Sequence, residues 1–138
     1  MDLINWTSDL AVGHEEIDKQ HRQLFKAANA LAEAMWDGKG REEVKKTIDF
    51  LADYVIFHFK DEEEVMLKHA YPGYAAQRQA HEKFLSDITE LKTKYESAEA
   101  SSALTIEVLT NACDWFRGHI RQMDILLGDF LQNGKTDG

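Results

Sequence analysis

The sequence predicts an all-α fold: an up-down-up-down antiparallel four-helix bundle with an N-terminal arm. Three observations predict it. Proline occurs once and glycine eight times in 138 residues, so little interrupts long helices. Between the few breaks, apolar residues recur in steps of three and four, and no segment alternates as a strand would. The breaks leave four segments of roughly 20 to 30 residues with short connections, which make sequential helices antiparallel neighbours. The length and the absence of any repeat or linker point to one domain over residues 1–138.

The arm carries Trp6 and Val12. A first helix is expected over residues 18–37, with Ile17, His21, Leu24, Ala28, Leu31 and Met35 inward, stopped by Asp37-Gly38-Lys39-Gly40. A second, over residues 41–68, turns Val44, Ile48, Leu51, Val55, His58, Glu62 and Met66 inward and ends at Tyr71-Pro72-Gly73. The third, over residues 74–95, has the stripe Tyr74, Gln77, His81, Phe84, Ile88, Leu91 and Tyr95. The polar break from Ser97 to Ser102 offers serines to cap the fourth, over residues 102–131. Its stripe reads Leu104, Val108, Ala112, Trp115, His119, Met123, Leu126 and Phe130, and the tail from Asn133 is expected to fray. Trp6, Trp36, Trp115 and Cys113 are expected to pack in the bundle.

Composition narrows the function. Apolar residues make up 43% and charged residues 30%, and no apolar run reaches the roughly 18–20 residues of a membrane span. Twenty-five acidic against 16 basic residues give a net charge of −9 with no basic cluster, which argues against nucleic acid and membrane partners. A single cysteine and an N-terminus without a basic signal start fit a cytoplasmic protein, monomeric or weakly oligomeric.

Six histidines are many for this length, and four of them lie on inward stripes of four different helices. Residues equidistant from a turn share a level in an antiparallel pair. His21 lies about 18 residues before the first turn and His58 about 19 after it. Around the second turn, Glu62 and His81 lie about 9 and 10 residues away, and Gln77 and His119 are each about 21 from the third. A buried carboxylate among imidazoles asks for a cation. Four histidines with a carboxylate exceed the needs of one tetrahedral ion, so two ions bridged by carboxylate fit better. The Glu-x-x-His pairs of ferritin-like sites are absent, because Ala11, Asp18, Val55, Met66, Arg78 and Phe116 stand three residues before the histidines. His14 and His69 are expected at the surface, and the outer members of the acidic run Asp61 to Glu64 in solvent. Asp18 is either a partner orienting the His21 ring or a helix-start aspartate.

Several motifs then align with one family. His58-Phe59-Lys60-Asp61-Glu62-Glu63, Met66, Tyr71-Pro72, and His81 with Phe84 resemble the hemerythrin pattern. Asp18-Lys19-Gln20-His21 with Leu24-Phe25 matches its first-helix motif, and Trp115 through His119-Ile120 to Asp124 matches its last. Trp6 and the Val12-Gly13 to Ile17-Asp18 stretch resemble the bacterial branch. The resemblance implies a non-haem di-iron centre that binds O2 reversibly, or a similar small diatomic ligand or anion. His21 and His58 would hold the iron open to O2, and His81 and His119 the other. Glu62 and Asp124 would bridge, together with an oxo or hydroxo group. Spacing alone does not find Asp124, which lies about 140° from His119 on an ideal helix.

The chain departs from the family pattern where a fifth histidine is expected, since Gln77 stands there. Its amide would be a weak neutral ligand of the iron held by His81 and His119, or hold a water that takes the vacated ligand position there, or accompany loss or weak occupancy of that iron. Phe116 stands where a leucine is common, as a bulkier wall of the O2 pocket or as ordinary packing. The leading function is an O2 carrier, store or sensor-type module. The alternatives are a di-iron oxidoreductase acting on peroxide or nitric oxide, and a bundle with a partly occupied or zinc-filled site. No general acid or base stands out, which favours binding over catalysis.

Overall fold

The computed structural model describes residues 3–38, 41–96 and 102–133. Lys39 and Gly40 of the first turn, the break from Ser97 to Ser101, and the tail from Gly134 lie outside these residues. Of residues 41 and 102–105 only the backbone is described, so the inward placement of Leu104 lies outside the description as well. Helices α1 (Glu15–Trp36), α2 (Arg41–Lys68) and α3 (Tyr74–Glu96) are continuous. The fourth rod is built from α4 (Ser102–His119), a π-helical turn (Ile120–Asp124) and α5 (Ile125–Asn133). It packs beside α1 and α3, closing the all-α four-helix bundle that the periodicity predicts. Among the described residues, no helix is long and apolar enough to cross a membrane.

The first helix starts at Glu15, three residues before the expected start at residue 18. The His14 side chain accepts a hydrogen bond from the Ile17 backbone N–H, at 3.2 Å, and so caps α1. Asp18 fastens the arm, because its carboxylate accepts from the backbone N–H groups of Val12, at 2.8 Å, and Gly13, at 3.2 Å. Its role is therefore to hold the arm against α1. Asn29 grips the arm further out, accepting from Leu3 and Ile4 N–H and donating to the Ile4 carbonyl. The end of α2 has the bonds of a Schellman motif, Tyr71 N–H to the Met66 carbonyl and Ala70 N–H to that of Leu67. Ala70 takes the left-handed φ of +52° there, a position usually given to glycine.

The stripes of the first three helices are inward as expected, with Tyr74 and Tyr95 half-buried at the ends of α3. The fourth differs. Ala112 and His119 are buried as expected, and Leu109, Phe116 and Ile120 beside them, whereas Val108, Trp115, Met123 and Phe130 are half-buried and Leu126 is 57% exposed. Beyond the π turn the buried residues are Leu127, Gly128 and Leu131. The extra residue in that turn rotates everything after it, so a stripe drawn at 3.6 residues per turn slips onto the wrong face. Trp36 is also 42% exposed, at the last turn of α1, instead of packing inside. Cys113 is buried, and burial pushes its thiol up to about 12.

Candidate metal centre

Nine polar or charged side chains are buried among the described residues, and six of them converge at one level of the bundle. His21 comes from α1, His58 and Glu62 from α2, His81 from α3, and His119 from the last turn of α4. Asp124 comes from the π turn. On an ideal helix it would point off the inward face. Here the Ile125 N–H reaches back to the Ile120 carbonyl, five residues earlier, and the widened turn carries Asp124 round to 1% exposure. Its Oδ1 lies 3.3 Å from His119 Nε2.

The donors form two groups that share both carboxylates. One is His21, His58, Glu62 and Asp124, the other Glu62, His81, His119 and Asp124, and within each group the donor atoms lie within 4.8 Å of one another. Each carboxylate divides its oxygens between the groups. Glu62 Oε2 faces His58 Nε2 at 3.5 Å and His21 Nε2 at 3.8 Å, while Oε1 faces His81 Nε2 at 3.2 Å. Asp124 Oδ2 faces His21 Nε2 at 3.2 Å, and its Oδ1 faces His119. This is the arrangement two cations bridged by two carboxylates require.

The donor set fits metal for a second reason. The Nε2 atoms of all four histidines, both Glu62 oxygens and Asp124 Oδ2 are buried without a hydrogen-bond partner in the protein. A core tolerates so many converging orphans only when something else engages them. Electrostatics agree. Burial, then the neighbouring Asp124 charge, hold the Glu62 carboxyl well above its usual range. Burial would raise Asp124 too, but the imidazoles of His119 and His21 outweigh it and hold that carboxyl well below its usual range. Burial also depresses His58 strongly and His81 less, keeping both rings neutral, the form that ligates. The protein alone therefore favours the charged form of Asp124 over that of Glu62, and added positive charge favours ionisation of both.

Two outer groups orient the rings. His58 Nδ1 donates to Gln20 Oε1 at 2.7 Å, and Gln20 Nε2 in turn donates to Asp61 Oδ2 at 2.8 Å. His81 Nδ1 donates to Glu63 Oε2 at 2.9 Å. Both bonds fix the tautomer that leaves Nε2 free to face the carboxylates. Sequence reasoning gave Gln20 and Glu63 no such role and placed the outer members of the Asp61 to Glu64 run in solvent. Their signal was present as a polar residue one position off each inward stripe. Trp115 stacks on His119 with centroids 4.9 Å apart and planes 9° apart, and Phe59 stacks on His81 at 3.9 Å. His14 and His69 belong to neither donor group.

Gln77 is buried at the same level. Its Nε2 donates to Asp124 Oδ1 at 3.0 Å, and its Oε1 is buried without a partner. Phe116 sets its ring edge-on to His21, with centroids 5.5 Å apart, and also lines an apolar cavity of about 30 Å³ with Leu24, Phe25 and Val55.

Comparison with known proteins agrees with this geometry. The family described as Hemerythrin HHE cation binding domain matches residues 12–131. A bacteriohemerythrin of Stenotrophomonas maltophilia is 34% identical over 129 residues, covering 94% of this chain and 82% of the relative. One of Methylococcus capsulatus is 33% identical over 132 residues, covering 95% and 98%. Among solved structures, wild-type hemerythrin superposes with a TM-score of 0.79 at 33% identity, covering 91% of this chain and 95% of that one. A leucine-to-alanine variant of hemerythrin gives 0.81 at 34% identity, covering 93% and 96%. With the family's domain matched over almost the whole chain and its fold reproduced, the chain belongs to the hemerythrin family.

Proposed function

We propose that this protein binds O2 reversibly at a non-haem di-iron centre held by His21, His58, Glu62, His81, His119 and Asp124. Family membership supports the di-iron O2-binding class. The observation that carries the assignment to residues is the division of both Glu62 and Asp124 between two histidine pairs. In this reading His21 and His58 would hold one iron and His81 and His119 the other, with Glu62 and Asp124 shared between them and an oxo or hydroxo group completing the centre. When bound, the iron pair supplies the redox capacity to take up O2 and release it.

The chain's own residues prepare the site for that task. Gln20 and Glu63 pin the rings of His58 and His81, so little reorganisation accompanies ligand uptake. Phe116 sets carbon surface against both His21 and His58 and, with Phe25 and Leu24, lines the apolar cavity behind it, which favours an apolar diatomic over water. Phe116 thereby acts as the wall of the ligand pocket. Gln77 serves as a donor that holds Asp124, and its free carbonyl is placed to accept from a water or a protonated ligand.

Elemental analysis of the purified protein is expected to find two irons per chain. Anaerobic reduction followed by O2 should produce a visible absorption band that disappears when O2 is removed. One metal or fewer per chain, zinc in place of iron, or an irreversible spectral change would overturn the proposal. Gln77→His tests the role of the amide. It removes the donor to Asp124 and adds an imidazole to the second iron, so the absorption spectrum and the autoxidation rate should both change, the rate by about 10-fold or more. An unchanged spectrum and rate would show that position 77 is indifferent to the centre.

A further inference from the structure

One face of α2 carries large aromatic surface that no other element of the described structure covers. Phe50 is 59% exposed and Phe57 is 52% exposed. Their rings flank Tyr54 in a ladder, with Phe50 and Tyr54 stacked at 6.1 Å and Tyr54 edge-on to Phe57 at 5.6 Å. Contiguous aromatic surface of this kind marks an association site more often than a solvated face. The ladder belongs to a longer row, Lys46, Phe50, Tyr54, Phe57 and Asp61, whose steps of four, four, three and four keep it on one helix face. Lys46 is exposed, and Asp61 is half-buried beside Gln20.

The order of that row names its occupant. Read forwards it is a base, three aromatics and an acid. Read backwards the charges exchange and the aromatics remain. Two copies of α2 laid antiparallel about a two-fold axis between Asp53 and Tyr54 therefore set Phe50 of each against Phe57 of the other. The same axis sets Lys46 against Asp61 at both ends. We infer that the chain pairs with a second copy of itself through this face of α2. The aromatic cluster supplies the affinity, and the end pairs, each of an exposed Lys46 and a half-buried Asp61, set the register more than they stabilise it. Asp53 of each copy lies beside the axis against Tyr54 of the other, Glu43 and Glu64 oppose each other beyond the ends, and each chain carries a net charge of −9, so the dimer is weak and forms at high concentration.

Sedimentation velocity from about 10 μM to about 1 mM is expected to show a monomer–dimer equilibrium. Added salt should tighten it by screening the repulsion between acidic chains. Phe57→Glu should raise the dissociation constant about 10-fold or more while helicity and melting temperature stay the same, because the ring contributes at the surface. Asp53→Cys, beside the axis, should give an intermolecular disulfide on mild oxidation, whereas Gln79→Cys, exposed on α3, should not. The native Cys113 is buried with its thiol pushed up to about 12, so it does not compete. A monomer at every concentration would overturn the inference and leave the face to a different partner. A dimer indifferent to Phe57→Glu, or equal cross-linking at both cysteines, would overturn it too.

Discussion

Glu62→Gln is expected to reduce the iron content to about one per chain or fewer and to abolish the reversible O2 band, while the metal-free protein keeps its stability. The two halves of this result have one cause. In the protein without metal, burial and the Asp124 charge push the Glu62 carboxyl toward its protonated form, which a neutral amide of the same shape imitates closely. With metal, Glu62 must be ionised and must give one oxygen to each histidine pair, which an amide cannot do. Loss of even an outer partner of a ligand typically costs about 10- to 100-fold in affinity, so loss of a shared ligand costs more. Metal binding stabilises only the folded chain, and loading the wild type should raise its melting temperature by about 10 °C or more. The variant should lose that rise. Iron analysis, circular dichroism and melting curves with and without metal separate the cases. A variant that still holds two irons would refute the bridging role.

Gly128→Val should destabilise the fold by about 3 kcal/mol, a sign opposite to the usual effect of replacing a helix glycine. A Cβ at Gly128 would meet the Val12 carbonyl oxygen at 1.8 Å and its carbon at 2.7 Å. Both atoms are backbone, and Asp18 holds that segment by its hydrogen bond to Val12 N–H. The arm cannot yield without breaking this bond and withdrawing the buried Leu10 and Val12. Gly13 gives the contrast. A Cβ there meets the far end of the Gln132 side chain, which can swing away, and the cost at Gly13 lies in its φ of +89°. Urea unfolding of Gly128→Val checks the prediction, and a change under about 0.5 kcal/mol would mean that the arm contributes little to stability.

Much of the architecture was legible because its signals are local or periodic. Scarce breakers and steps of three and four define four rods, and equal distances from the turns bring His21, His58, Glu62, Gln77 and His81 to one level with His119. The outer bonds were less legible. Gln20 and Glu63 sit one residue off their stripes, where a long side chain reaches inward from a position that periodicity assigns to solvent. Asp18 looked equally suited to orienting a ring and to starting a helix, and only the path of the arm decides that it holds Val12 and Gly13.

Asp124 divides the two kinds of information most clearly. Periodicity and spacing were enough for four helices and a histidine-rich layer, and the resemblance of the motifs added a carboxylate at position 124. That this carboxylate faces inward follows only from the folded backbone. Helical periodicity assumes one hydrogen-bond pattern throughout, and a single bond spanning five residues instead of four changes the facing of everything after it. The widened turn at Ile120–Asp124 brings the second bridge to the histidines, and it also moves Leu126 to the surface and Leu127 into the core.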